Sequence, residues 1–288
     1  MKQLSRVLFL FAFVFFYLGC SNDSYDNNDV VVPDFVEAYQ ALNVFYGSDI
    51  NQSFDLYLPE NRTTSTKVII LVHGGSWVGG DKSDMSSIKD YILETHPNVG
   101  VVNMNYTLAD AVNPPLPMQT VDISAVVDYL SANKSTLIMS DDIGFIGISA
   151  GAHLSLLWSY AYDINNQVDM VCSIVGPTNF TDPAYSESTN PFFQSLLFLF
   201  GNPSVTFLES ASPYHRATTS SPPTLLFYGG MDPLVPNSQG TEMDAQLTDL
   251  GVPHEFHFYP EEGHGWVGAN YTDTAVKISS YINQYITP

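Results

Sequence analysis

The pentapeptide Gly147-Ile148-Ser149-Ala150-Gly151 constrains this chain more than any other feature of its sequence. It closes the apolar, β-rich run Ile143–Ile148 and opens residues 150–160, a stretch with the composition of a buried helix. A strand must therefore run straight into a serine and a helix must leave it, which makes the turn between them sharp and strained. A side chain at either flanking position would collide with the adjoining strand or helix, hence glycine at both. Such a turn lifts the Ser149 hydroxyl off the C-terminal edge of a sheet. It also sets the hydroxyl at a helix N-terminus, where the dipole favours negative charge.

The rest of the hydrophobic pattern supplies the sheet. Val68–Val72 is a continuous apolar run, as expected of a strand buried on both faces. Further strands are expected at 42–46, Ser53–Leu58, 99–103, 170–175, 224–228 and 255–259, the first two as an antiparallel pair. Helices are expected at about 84–94, 118–131, 150–160, 238–250 and 272–286. This repeated β-α-β order implies an α/β fold, with a mostly parallel central sheet and helices on both faces. Residues 177–216 break the rhythm with prolines, aromatics and the apolar run 192–200, and read as an insertion after the sixth strand, a small helical cap over the site. No internal repeat is visible, and residues 40–288 read as one domain.

Composition narrows the function classes. Hydrophobic residues make up 45% of the 288, enough for a sizeable core. A formal net charge of −21 repels nucleic acid and anionic headgroups, which excludes nucleic acid as a partner. The same acidity suits solubility or a salty medium. Of the two cysteines, Cys172 lies in the apolar run 170–175 and reads as a small buried hydrophobe. Two cysteines make no disulfide framework.

Cys20 has a different context. Lys2 and Arg6 precede an apolar run from Val7 to Leu18, which is shorter than the roughly 20 residues of a membrane-spanning helix and suits a signal-peptide core. Tyr17-Leu18-Gly19-Cys20 resembles a bacterial lipobox, with Tyr17 where leucine is usual. The resemblance implies removal of residues 1–19 and a lipid on the Cys20 thiol, so that the only membrane contact is the anchor. The Asn- and Asp-rich start of 20–39 reads as a flexible linker and is similar to the tethers of Bacteroidetes surface lipoproteins. The expected location is the cell envelope, with the outer-membrane surface as one possibility.

Three further motifs sit where a nucleophilic serine needs them. His73-Gly74-Gly75-Ser76-Trp77 follows the run Val68–Val72, and glycine there lets backbone N–H groups approach an oxyanion. Gly75 or Ser76, together with Ala150, are the expected donors, and the sequence does not choose between the first two. His73 is expected to brace that loop. Tyr228-Gly229-Gly230-Met231-Asp232-Pro233 follows the run 224–228 and offers a carboxylate that can orient an imidazole. Glu261 and Glu262 are its rivals, but their place beside His264 in sequence turns them towards solvent. Gly263-His264-Gly265-Trp266 follows 255–259 and carries the candidate general base. The order Ser149…Asp232…His264 is that of strand-end triads on such sheets. Trp77, His153 and Trp266 are the candidate substrate contacts. His254 and His257 read as structural, and no histidine pair has metal-ligand spacing, so neither metal nor cofactor is expected.

Together these residues resemble the α/β-hydrolase superfamily. More narrowly they resemble its small esterases, including bacterial acetyl-xylan and feruloyl esterases and kynurenine formamidases. The likeness rests on His73–Trp77 with Gly79-Gly80-Asp81-Lys82-Ser83, on Gly147-Ile148-Ser149-Ala150-Gly151-Ala152-His153-Leu154, on Ser212-Pro213, on Pro222-Pro223-Thr224-Leu225-Leu226, and on Asp232-Pro233-Leu234-Val235-Pro236. It spans roughly residues 40–286 and implies a serine esterase with a Ser149–His264–Asp232 triad, cleaving acetyl or feruloyl esters on polysaccharide. A general carboxylesterase or lipase and an aryl formamidase are the alternatives, and a non-catalytic surface binding protein is a third. Asn105-Tyr106-Thr107-Leu108 departs from the pattern, with Thr107 where many relatives have arginine, so a local ion pair is expected to be missing.

Overall fold

The strands form where the sequence alternates or saturates in apolar residues. In the computed structural model, which describes residues 35–201 and 203–287, they are β1 (Tyr39–Phe45), β2 (Ser53–Leu58), β3 (Val68–Val72), β4 (Gly100–Met104), β5 (Ile143–Ile148), β6 (Val168–Ile174), β7 (Thr224–Gly229) and β8 (His254–Tyr259). The helices are α1 (Ser86–Thr95), α2 (Met118–Leu137), α3 (Ala150–Ala161), α4 (Pro183–Ser186), α5 (Pro191–Leu199), α6 (Val205–Ser210), α7 (Pro213–Arg216), α8 (Asn237–Leu250) and α9 (Ala269–Tyr285). The expected signal peptide, Cys20 and most of the 20–39 linker lie outside the described residues.

All eight strands join one sheet in the order β1-β2-β4-β3-β5-β6-β7-β8. β2 runs antiparallel to β1 and β4, and every later pairing is parallel. Every residue of β3 is buried, because both faces of the sheet are covered. Val68, Ile70 and Val72 pack with α2 and α3, whereas Ile69 and Leu71 pack with α1 and α9. Each such buried aliphatic side chain is worth about 1.5–3 kcal/mol, and these strands anchor what they carry. From β3 the chain goes to β4 on one side and then returns to β5 on the other. Open α/β sheets bind ligands at the strand C-termini beside such a reversal, and Ser149 stands there at the end of β5.

Several boundaries differ from expectation. β1 begins at Tyr39, three residues before 42 and inside the expected linker, because most of its side chains are exposed and leave no apolar signature. The helix expected at 84–94 is a 3₁₀ turn, Lys82–Met85, capped by the Asp81 carboxylate, followed by α1. α2 runs to Leu137, past 131 through Lys134-Ser135-Thr136, and stops where Ile138 turns left-handed at φ 54°. Residues 177–216 carry the four short helices α4–α7. With threonine at 107, buried Asp122 accepts from the Gln52 amide at 2.8 Å and from the Thr107 N–H at 2.6 Å. A different ion pair steadies the region, between Lys82 on the 3₁₀ turn and Asp55 on β2.

Candidate active site

The elbow owes its shape to backbone crowding. A Cβ on Gly147 would lie 2.4 Å from the Gly151 carbonyl oxygen, and one on Gly151 would lie 2.1 Å from that of Val72. Ser149 itself is held at φ 53°, ψ −118°, with its N–H bonded to the Ile174 carbonyl at 2.8 Å. A non-glycine residue held there stores about 1–3 kcal/mol, sustained here by the buried strands on both sides. Its Oγ makes no cap hydrogen bond to α3 and lies 2.8 Å from His264 Nε2.

The partners arrive on two interlocked loops. Gly230 N–H donates to the Tyr259 carbonyl at 2.8 Å and Met231 N–H to that of Glu262 at 2.8 Å, tying the loop after β7 to the loop after β8. The Asp232 side chain is almost wholly buried, 1% exposed. One carboxylate oxygen accepts the N–H groups of Leu234 at 2.8 Å and Val235 at 3.0 Å; the other lies 2.7 Å from His264 Nδ1. With Nδ1 protonated towards Asp232, Nε2 is left as the acceptor for the serine proton. The rivals are elsewhere: Glu261 is exposed, and Glu262 accepts from the Asn270 amide at 2.7 Å.

The glycine loop after β3 passes over the nucleophile, so that a Cβ on Gly74 would sit 3.3 Å from that of Ser149. Gly75 has φ 116°, and Ser76 and Trp77 follow at 51° and 64°. This run of positive φ turns backbone N–H groups inward. The amides of Gly75, Ser76 and Ala150 donate to no acceptor among the described residues, so all three remain available to an oxyanion. His73 braces the loop from beneath: Nδ1–H donates to the Gly74 carbonyl at 2.6 Å and the ring stacks on Tyr106 at 4.2 Å. Burial lowers its pKa and keeps the ring neutral.

Two of the three expected substrate contacts are instead core. Trp77 is 1% and His153 0% exposed. The indole N–H donates to His153 Nδ1 at 3.2 Å, and His153 Nε2–H donates to the Ala211 carbonyl at 2.8 Å. Each polar atom thus finds its partner inside, and neither ring presents a face to a ligand. The third, Trp266, is half-buried and borders a hollow beside His264.

Buried neutral, His153 has its pKa pushed down to about 4 by desolvation. The unfolded chain binds the same proton near 6.5, so it takes up more protons between these values, and stability falls as pH falls through that window. The loss reaches about 2 kcal/mol at pH 5 and about 3 kcal/mol below pH 4. Urea unfolding of the wild type and His153→Gln at pH 7.5 and 5 checks this. The stability gap between them should narrow by that amount on acidification, and a gap independent of pH would contradict it.

Ile88 and Tyr91 on α1 and Tyr271 on α9, which line the same hollow as Trp266, belong to no motif that marks them in the sequence. Their apolar character reads simply as core, and only the packing of two helices distant in sequence reveals a space between them. His254 pairs with Asp244 at 3.1 Å and His257 with Glu255 at 3.0 Å, both away from the triad. Among the described residues no group of three His, Cys, Asp or Glu side chains is placed to hold a metal ion.

The arrangement can therefore deprotonate a serine hydroxyl, stabilise a tetrahedral oxyanion on backbone amides and return the proton to a leaving group. Known proteins share its frame. The chain is 27% identical over 266 residues to the Esterase LipC of Mycobacterium tuberculosis, covering 84% of this chain and 64% of that protein. It is 22% identical to the Arabidopsis thaliana protein named probable isoprenylcysteine alpha-carbonyl methylesterase ICMEL1, covering 80% of this chain and 52% of that one. The chain thus spans between half and two-thirds of the length of these relatives. Among solved structures, a truncated carbohydrate esterase from gut microbiota superposes with a TM-score of 0.71 at 20% identity, over 86% of this chain and 98% of that one. An acetyl ester-xyloside bifunctional hydrolase from Caldicellulosiruptor lactoaceticus gives 0.67 at 16% identity, over 81% and 88%. The BD-FAE family model matches residues 54–247, which include the oxyanion loop, the serine elbow and Asp232, and the chain belongs to that family.

Proposed function

We propose that this protein is a serine esterase that cleaves carboxylic esters through an acyl-enzyme, and that its natural esters are acetyl or feruloyl groups on polysaccharide outside the cytoplasm. The observation that carries the reading is the unbroken relay from Ser149 Oγ to His264 at 2.8 Å and from His264 to Asp232 at 2.7 Å, set beneath unbonded amides. His264 takes the Ser149 proton as the hydroxyl attacks the ester carbonyl. The amides of Ala150 and of Gly75 or Ser76 hold the oxyanion, each donor worth about 3–4 kcal/mol in comparable sites. His264 then protonates the leaving alcohol, activates water and returns the serine. Asp232 keeps the imidazole in the tautomer that accepts.

The esterase reading draws support from the family and from relatives named as esterases. The polysaccharide reading draws on the two carbohydrate-directed enzymes that share the fold. Export follows from the signal-like segment before Cys20, with a lipid on that thiol. In the same reading residues 177–216 form the cap. Among their ties to the catalytic layer, the Asp182 carboxylate accepts from the Gln239 amide of α8 at 2.7 Å and the Ala211 carbonyl accepts from His153 of α3 at 2.8 Å.

Acyl release tests the proposal, with acetylated xylan, feruloylated arabinoxylan, p-nitrophenyl acetate and N-formylkynurenine as substrates. Release of acetate or ferulate from a glycan is expected. Hydrolysis confined to p-nitrophenyl acetate would leave a general carboxylesterase, and preferential turnover of N-formylkynurenine a formamidase.

A further inference from the structure

Tyr106 stands two residues beyond β4 and is wholly buried, with its hydroxyl on the oxyanion loop. That hydroxyl donates to the His73 carbonyl at 3.0 Å and lies 3.3 Å from the Gly74 carbonyl. Burial pushes its pKa up, so it stays a donor. Its ring stacks on His73, whose Nδ1–H meets the same Gly74 oxygen at 2.6 Å. Gly80 closes a third side, since a Cβ there would lie 2.4 Å from that oxygen. A trans peptide sets its C=O and N–H in opposite directions. The Gly74 carbonyl, held among Tyr106, His73 and Gly80, therefore turns the Gly75 N–H away from all three. The next peptide is held differently: the Gly75 carbonyl accepts from Val78 N–H at 3.1 Å and Gly79 N–H at 3.0 Å.

We propose that Tyr106 is a positioning residue of the oxyanion hole, whose hydroxyl fixes the Gly74–Gly75 peptide so that the Gly75 N–H meets the developing oxyanion. The inference rests on the esterase reading above and makes Gly75 the loop donor that Tyr106 controls. Bonds from outside the loop are needed because its shape is strained. Positive φ at Gly75, Ser76 and Trp77 is a conformation that surrounding structure must impose, and a freed peptide would rotate out of it. An oxyanion donor stabilises charge only when it is aimed before the charge develops. The Ser76 N–H lies on the peptide that Val78 and Gly79 hold, so it does not depend on Tyr106.

Tyr106→Phe tests this, because it keeps the ring and its stack on His73 and removes one oxygen. On p-nitrophenyl acetate kcat should fall about tenfold, short of the roughly 10²–10³ lost with a whole donor, while KM stays within about threefold. Tyr46→Phe is the control for a merely structural hydroxyl. It removes a bond of 2.8 Å to the carbonyl of Asn105, the residue before Tyr106, and should leave kcat within about twofold of wild type. Amide NMR with phenylboronic acid, where Ser149 Oγ adds to boron and leaves a tetrahedral anion, reads the donor directly. The Gly75 N–H should move downfield in the wild-type adduct and move less in Tyr106→Phe, with Ser76 alike in both. An unchanged kcat in Tyr106→Phe, or an equal loss in Tyr46→Phe, would overturn the proposal. So would a Gly75 amide that does not move in the wild-type adduct, or that moves equally in the variant. Absence of wild-type turnover would remove the esterase reading itself, and the boronate spectra would still decide whether Tyr106 aims the Gly75 amide.

Discussion

Ser149→Ala is expected to lower kcat by about 10⁶ while leaving the fold intact, the scale at which a triad loses its nucleophile. The substitution removes one oxygen and nothing else that the elbow uses. Alanine keeps the Cβ, so the φ of 53° is no more strained than before. The backbone N–H of residue 149 still reaches the Ile174 carbonyl. His264 loses its 2.8 Å partner, but its side chain is 20% exposed and water can replace the hydroxyl. Hydrolysis of p-nitrophenyl acetate, read beside thermal unfolding, gives both numbers. A fluorophosphonate should label the wild type once and the variant not at all. Activity within about 100-fold of wild type would mean that another group attacks the ester, and the relay would then be only a structural hydrogen-bond chain.

The contrast between what could be read in the sequence and what could not follows a physical line. Ser149, Asp232 and His264 each follow a strand and stand within two residues of glycine; crowded backbone requires the glycines near Ser149 and Asp232, whereas those flanking His264 have room for a Cβ. Gly151, with no room for a Cβ beneath Val72, illustrates how the motif records a steric fact of the fold. Trp77 and His153 also lie in such motifs, yet sequence proximity to a nucleophile does not say which way a side chain turns. Here φ values of 64° at Trp77 and a position one helical turn after Ser149 for His153 send both rings inward to meet each other. The hollow beside His264 is one step more remote. Its walls come from α1 and α9, whose apolar faces look the same whether they close on each other or stand apart. β1 escaped for the opposite reason, since a mostly exposed edge strand has no apolar alternation to detect.

Asp232→Asn should cost about 10⁴ in kcat with little change in stability, an effect known for triads whose carboxylate becomes an amide. The cause lies in the donors that surround the group. One oxygen of Asp232 accepts two backbone N–H groups, from Leu234 and Val235, so an asparagine must turn its carbonyl oxygen to them. Its NH₂ then faces His264 Nδ1, which has to become the acceptor. The ring proton is thereby moved to Nε2, the atom that must receive hydrogen from Ser149 at 2.8 Å. Geometry survives and the acceptor is lost. Packing is equally preserved, because the amide is isosteric with the carboxylate and keeps both backbone bonds. Nitrogen-15 NMR of the imidazole distinguishes this account from a purely steric one. The wild type should show the Nδ1–H tautomer and the variant the Nε2–H tautomer, alongside the drop in kcat. A variant that retained the Nδ1–H tautomer, or lost less than about tenfold, would show that Asp232 merely caps its loop and that the polarity of the relay is set elsewhere.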